Sequence, residues 1–262
     1  MDGVNEISIS GIIVQNDDSG LYEWLGYEAV CPNDVIAALE ALGGKPVTVK
    51  VDSRGGSLFA GAVLYGEFMQ YSGTVTFEVV GLAASAASAM VMASAKEGSR
   101  CVISPMGMMM IHNVQSGTEG DYREMEKAAA MLKAANESAI NAYCLKTGLA
   151  KAQIAEMMDA ETWLAADEAV KMGFADEIMF TEDEKAKTEQ SVVSKAEKAS
   201  LKNAYGCAAM PAGELLAALR SLKKQGDKTE MALEKAKDED ENAAYTQKLA
   251  LIALEEIRFG GK

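Results

Sequence analysis

Between residues 5 and 180 the chain alternates repeatedly between short apolar runs and stretches whose apolar residues recur at helical spacing. This pattern is the strongest constraint the sequence carries. Strands separated by helices tend to lie parallel in one sheet, with right-handed crossovers between them. Ile7, Ile9 and the run Ile12 to Val14 predict a first strand. Asn33, followed by Val35, Ile36, Leu39 and Leu42 and stopped by Gly43-Gly44, predicts a capped helix. Val47 to Val51 alternates as a strand, Asp52-Ser53-Arg54-Gly55-Gly56 reads as a sharp turn, and Phe59, Val63, Leu64 and Phe68 mark the helix after it. A strand over Thr74 to Val80 ended by Gly81, a small-residue helix from Ala83 to Ala95, strands at Cys101 to Ile103 and Met108 to Ile111, and a long helix from about Asp121 to Thr147 complete the series. The expected fold class is α/β.

Composition narrows what such a domain does. The chain has 25 basic and 39 acidic side chains, for a formal charge of −14. An acidic surface offers phosphates little, so a nucleic-acid partner is not expected. Aromatics make up only 6%, so the core falls to Ala, Val, Ile, Leu and 16 Met. The first 180 residues hold 11 basic and 24 acidic groups; the last 82 hold 14 and 15, a much higher charge density. A domain boundary is placed there. Residues 1–180 form the expected domain, 181–213 a charged linker, and 214–262 a helical or partly disordered extension carrying Leu215, Leu216, Leu219, Leu222, Leu249, Ile252, Leu254 and Ile257. The N-terminus lacks a basic and apolar leader, and no run of 18 apolar residues occurs, so no membrane partner is expected and the location expected is cytoplasmic.

The chemistry available is restricted. Cysteines stand at 31, 101, 144 and 207 without a C-x-x-C pair, and there is one histidine, so neither a zinc site nor any other metal or cofactor is expected. G-x-S-x-G, Walker A and G-x-G-x-x-G are missing. The one histidine, His112, follows Met108-Met109-Met110-Ile111 and is the natural candidate for a general base at neutral pH. Ser85, in Gly81-Leu82-Ala83-Ala84-Ser85, comes straight after a strand at the opening of a helix, where backbone amides can stabilise an oxyanion. Serine there also serves as an ordinary helix cap, and Ser88, one turn on, competes for the role of nucleophile. Gly55-Gly56 fits a tight turn as well as a backbone bare enough to approach a substrate carbonyl.

Taken together, Val51-Asp52-Ser53-Arg54-Gly55-Gly56, Gly81 to Ser85, Met110-Ile111-His112 and the block Glu161-Thr162-Trp163-Leu164-Ala165-Ala166-Asp167-Glu168-Ala169-Val170 resemble the ClpP family of serine peptidases, in the same order and at similar spacing. The resemblance covers roughly residues 5 to 180 and implies a ClpP/crotonase-like fold. Within the family, the G-L-A-A-S-A-A-S and M-I-H-N patterns are most similar to ClpP-like proteins of phage head-assembly clusters. It implies Ser85 as nucleophile with Ser88 as the reserve, His112 as base, and Glu161 at the position of the triad acid, usually Asp, with Asp159 as the reserve. Gly56 and Ala86 match the residues whose amides form the oxyanion hole, and Gly55 is expected to meet the substrate. Asp176 is expected to be structural, and a Ser-Lys dyad with Lys96 would leave the histidine unused. Arg54 stands where the family typically has Pro. Residues Gln115 to Gly120 and the helix after them resemble the handle through which ClpP subunits assemble, implying a ring-forming homo-oligomer.

The chain starts almost at its first strand, so the segment that in ClpP engages an unfoldase is expected to be missing and the activity expected is ATP-independent. The first expectation is a serine endopeptidase that processes scaffold and capsid precursors during phage head maturation, inside the procapsid in the host cytoplasm. A cellular ClpP-like peptidase in general protein turnover is the alternative, and a catalytically inactive assembly module is the third reading.

Overall fold

The computed structural model describes residues 5–181. Apart from Thr181, the expected linker and C-terminal extension lie outside the described residues. In chain order the elements are β1 (Glu6–Ile13), α1 (Ser19–Trp24), β2 (Ala29–Val30), α2 (Pro32–Leu42), β3 (Val47–Gly56), α3 (Leu58–Gln70), β4 (Val75–Ala84) and α4 (Ala86–Val91). Next come β5 (Arg100–Ile103), β6 (Met108–Ile111), α5 (Tyr122–Thr147), α6 (Lys151–Asp159), β7 (Thr162–Ala165), α7 (Ala166–Lys171) and β8 (Glu177–Ile178). The sheet runs β2-β1-β3-β4-β5-β8 with every neighbour parallel, as the strand–helix alternation requires.

The core is aliphatic and methionine-rich. Val49, Val51, Phe77, Val79, Met109 and Ile111 are fully enclosed on the sheet, and Leu64, Phe68, Ala87, Met90 and Val91 are enclosed on α3 and α4. Phe68 and Phe77 meet edge to face, 5.0 Å between centroids. Small residues set how closely α3 and α4 approach: a Cβ on Gly61 would come within 3.2 Å of Ala86 Cβ. On α5 the buried positions, Ala135, Ala139, Ile140 and Tyr143, all fall in the C-terminal half, and Tyr122, Met125 and Met131 stand exposed on the N-terminal half.

Three of the expected elements differ at the edge of the site, and α1, β2, α6, β7, α7 and β8 add to the expected series. The supposed turn Asp52–Gly56 is the end of β3, which keeps its alternation because Ser53 faces the core and satisfies its hydroxyl by donating to Gly11 O at 2.7 Å and accepting from Gly55 N–H at 3.0 Å. β4 does not stop at Gly81. The Asp52 carboxylate accepts from Leu82 N–H at 3.0 Å, and a Cβ on Gly81 would lie 2.6 Å from it, so glycine lets the strand pass and continue to Ala84. The helix expected from Ala83 begins only at Ala86, because Ser85 adopts a non-helical backbone, and it tightens into a 3-10 turn over Met92–Ala95. The cap of α2 is also shifted, to Cys31, while Gly43 ends that helix in the left-handed conformation as expected.

Candidate active site

β4 changes partner along its length, and that change builds the site. Residues Thr76–Val79 pair with β5, whereas Leu82–Ala84 pair with β6 in parallel, Ala84 opposite Met110. Ser85 N–H continues the ladder by donating to Met110 O at 2.9 Å. Parallel strands in register end together, so Ser85 and His112 emerge side by side. β7 joins β6 antiparallel with Ile111 opposite Thr162, which brings Glu161, the residue before β7, to the same end as His112. Three strand ends thus deliver three polar residues that lie far apart in sequence.

Ser85 has φ 56° and ψ −124°, a strained backbone for a residue bearing a Cβ. The strain turns the chain sharply from strand to helix and holds the hydroxyl out, 2.7 Å from His112 Nε2. Gly55 makes the turn possible. A Cβ there would meet Ala84 O at 2.5 Å, Ala86 N at 2.8 Å and Ser85 Cβ at 2.8 Å, so only a glycine backbone fits against the Ser85 turn. Gly55 N–H is taken by Ser53 Oγ. Gly56 is held equally tightly on its other side, its Cα facing Ile13 O, where a Cβ would lie at 2.1 Å. Ala86 is the first residue of α4, so its N–H has no intrahelical acceptor.

His112 is partly buried. Desolvation lowers its pKa below the ordinary 6.5, opposed by the negative charge of Glu161. Its Nδ1 faces Gln115 Nε2 at 3.4 Å. Glu161 acts on the ring through space: it too has positive φ, 49°, and its Oε1 accepts from Trp163 Nε1 at 3.4 Å. Asp159 accepts from Asn113 Nδ2 at 2.7 Å; Asn136 Nδ2 donates to Asn113 Oδ1 at 2.8 Å, and Asn136 Oδ1 accepts from Val114 N–H at 2.7 Å. This chain of amides ties the segment after His112 to α5 and α6.

The structure separates the residues that sequence left competing. Ser88 is fully buried, its hydroxyl held among Ser85 O at 2.7 Å, Met110 O at 2.8 Å and Tyr143 OH at 2.7 Å, whereas it is Ser85 that meets the imidazole. Lys96 Nζ donates to Tyr71 O and Gly73 O beyond the end of α3 and lies over the Tyr71 ring. Asp176 pairs with Lys146 at 2.6 Å and accepts from Cys101 N–H at 2.7 Å. Sequence reasoning passed over Asn136, because a single polar residue in a helix carries no spacing signal; Asn113, Gln115 and Trp163 were visible only as members of longer motifs, with no role at the site read for any of them.

A strained serine between strand and helix, hydrogen-bonded to a desolvated imidazole beside a carboxylate, is the apparatus of acyl transfer. Residues 28–182 match the family model described as Clp protease, more than half of the chain, and the chain belongs to that family. It is 30% identical over 135 residues to the ATP-dependent Clp protease proteolytic subunit 1 of Salinibacter ruber, covering 52% of this chain and 57% of that protein. The corresponding subunit of Chlamydia abortus is 29% identical over 140 residues, covering 53% and 72%. Among solved structures, a ClpP1 mutant from Listeria monocytogenes superposes with a TM-score of 0.56 at 25% identity, covering 68% of this chain and 93% of that one. The α/β ClpP-like fold is therefore shared. Among the described residues no helix is long and apolar enough to cross a membrane, and no group of three or more His, Cys, Asp or Glu is placed to hold a metal ion.

Proposed function

We propose that the chain is a serine peptidase acting on polypeptides, with Ser85 as nucleophile and His112 as general base. The 2.7 Å contact between Ser85 Oγ and His112 Nε2 carries this reading. As Ser85 Oγ bonds to the peptide carbonyl carbon, its proton passes to His112 Nε2, and the oxyanion is held by the backbone amides of Gly56 and Ala86. The C–N bond then breaks, the leaving amine takes the proton from His112, and water hydrolyses the acyl ester by the same route in reverse. The Glu161 carboxylate stabilises the imidazolium that forms in each half, with Asp159 given over to holding the Asn113 segment.

General protein turnover is the role the relatives favour, since those compared are proteolytic subunits of ATP-dependent Clp proteases from cellular bacteria. Processing of scaffold and capsid precursors in a phage procapsid is the second reading; it has the G-L-A-A-S-A-A-S and M-I-H-N patterns in its favour. A ring-forming homo-oligomer belongs to either reading. Exposed apolar side chains support it: Phe59 and Val63 one turn apart on α3, and Tyr122, Met125 and Met131 on α5. The test is intact mass after fluorophosphonate treatment, alongside hydrolysis of unfolded polypeptide. A single adduct lost in Ser85→Ala and His112→Ala sustains the proposal; a folded, oligomeric wild type that takes no adduct and cuts nothing sinks it.

A further inference from the structure

A general base needs its proton in the right place. For Nε2 of a neutral imidazole to accept from Ser85, Nδ1 must hold the ring proton, and something must accept from it. In a serine triad that partner is the acid, yet here Glu161 Oε1 is engaged by Trp163 Nε1 and acts on His112 only through space. The side chain within hydrogen-bonding reach of Nδ1 is Gln115. A primary amide can serve either tautomer. With Nε2 toward the ring, as found, it donates to Nδ1 and favours a proton on the His112 Nε2 that faces Ser85; after a half-turn of the amide, Oε1 occupies nearly the same place and accepts from Nδ1–H. Both orientations fill the same volume, so the turn requires no repacking.

Resting on the peptidase reading above, we propose that Gln115 is a positioning residue for His112: its side-chain amide oxygen accepts from Nδ1–H, fixes the ring's orientation and selects the tautomer that leaves Nε2 free to take the Ser85 proton. The two functions a triad acid usually combines are thereby divided, charge coming from Glu161 and hydrogen-bonded orientation from Gln115. The placement is consistent with this division. Gln115 follows Val114, whose N–H is anchored to Asn136 Oδ1, and Asn113 is anchored to both Asp159 and Asn136, so both residues between the imidazole and the amide are held in place.

Because the chain has one histidine, the tautomer can be read directly. Imidazole 15N shifts of full-length wild type, Gln115→Ala, Gln115→Glu and Glu161→Gln would be recorded across pH, with fluorophosphonate labelling rates on the same samples. The expected result is an Nδ1–H tautomer in wild type, loss of that preference in Gln115→Ala with labelling slowed roughly tenfold, and its recovery in Gln115→Glu with the imidazole titrating at higher pH. Glu161→Gln keeps the wild-type tautomer and titrates at lower pH. An Nε2–H tautomer in neutral wild type, or Gln115→Ala labelling at the wild-type rate with its tautomer unchanged, overturns the proposal. If the tautomer follows Gln115 as stated while wild type takes no label, the positioning role stands and the peptidase reading falls. Gln115 is exposed and Gln115→Glu is nearly isosteric, so a folding defect would not obscure the comparison.

Discussion

His112 and Glu161 stand at facing positions one step beyond the last β6–β7 pair, Ile111 opposite Thr162, yet the Glu161 carboxylate is turned to Trp163 Nε1 at 3.4 Å. The strand register brings Glu161 to His112; the length of the Glu side chain, together with the positive φ of residue 161, lets the carboxylate lie off the ring. Its influence on the imidazole is then a matter of charge, which makes a definite prediction about pH.

Burial holds the His112 pKa below 6.5, and Glu161 pulls it back up. Activity that needs neutral imidazole therefore persists to lower pH than an ordinary histidine allows, and falls along an acid limb below 6.5. Removing the Glu161 charge removes the upward pull, so Glu161→Gln shifts the acid limb to still lower pH while reducing the maximal rate, because the imidazolium formed during acylation loses its counter-charge. A pH–rate profile of labelling checks both; a limb that moves upward contradicts the assignment. The stability consequence has the same sign. A group with a depressed folded-state pKa contributes stability that is present above the unfolded value near 6.5 and is lost as pH falls from there through the folded value.

Ser85 and Ser88 should separate cleanly under substitution. Ser85→Ala abolishes labelling and leaves the fold intact, because the side chain makes no hydrogen bond besides the one to His112 Nε2 and alanine keeps the same Cβ in the same backbone conformation. Ser88→Ala leaves the buried Tyr143 hydroxyl without its serine partner and costs about 1–3 kcal/mol. It retains the Ser85 adduct. Denaturant melts and intact mass on the same preparations test the pair of outcomes, and an Ser88→Ala protein that folds with wild-type stability but takes no label reverses the roles.

The period of the hydrophobic pattern made β1, β3 to β6 and α2 to α5 legible, while the shorter α1, β2, α6, β7, α7 and β8 were not read; β1, β3, α2 and α3 each bury one face against a neighbour and that burial is written in residue type. Where the pattern misled, polar groups were satisfied by distant chain. Asp52-Ser53-Arg54-Gly55-Gly56 looks like a turn from composition and is strand because Ser53 Oγ reaches Gly11 O, 42 residues away. Ser85 and His112 were legible as candidates from residue type and motif, but their meeting depends on β4 exchanging β5 for β6 midway, which no local signal announces. Gln115, Asn136 and Trp163 act on the site singly, through one hydrogen bond each or a shared pair, and nothing in spacing distinguishes them from solvated residues.

Asp176 tests whether a conspicuous acid outside the site is only structural. Its carboxylate faces a Lys146 side chain that is 6% exposed, and it also accepts from Cys101 N–H. Asp176→Asn leaves that cation nearly enclosed without its counter-charge. The expected cost is about 2 kcal/mol, less than for a fully enclosed pair because the carboxylate itself is 42% exposed. Thermal melting should fall by roughly 4–8 °C at this domain size, with the labelling rate per folded molecule unchanged. A lowered rate at unchanged stability would draw Asp176 into the site.

Gly55 gives the sharpest separation of fold from function, because its steric constraint lies on one side only, the side that bears Ser85. A methyl group there must enter space already held by Ala84 O, Ala86 N and Ser85 Cβ, all within 2.8 Å, and must do so at φ +89°, which a side chain rarely tolerates. Two separate penalties follow, one for the backbone conformation and one for the overlap, and together they amount to about 2–5 kcal/mol. The overlap can be relieved only by moving the Ser85 turn, since Gly55 is itself fixed to β1 through the Ile12–Gly55 pairing and to Ser53 through its N–H. Gly55→Ala should consequently lose labelling by a factor of about 100 or more even at temperatures where it stays folded, as a displacement near 1 Å disrupts both attack geometry and the amide of Ala86. The control is Gly43→Ala at the C-terminus of α2, also at positive φ but with open space around the site of the added methyl. It should lose stability by about 1 kcal/mol and keep its labelling rate. Equal effects of the two substitutions on labelling would mean that the contact with Ser85 has no bearing on catalysis.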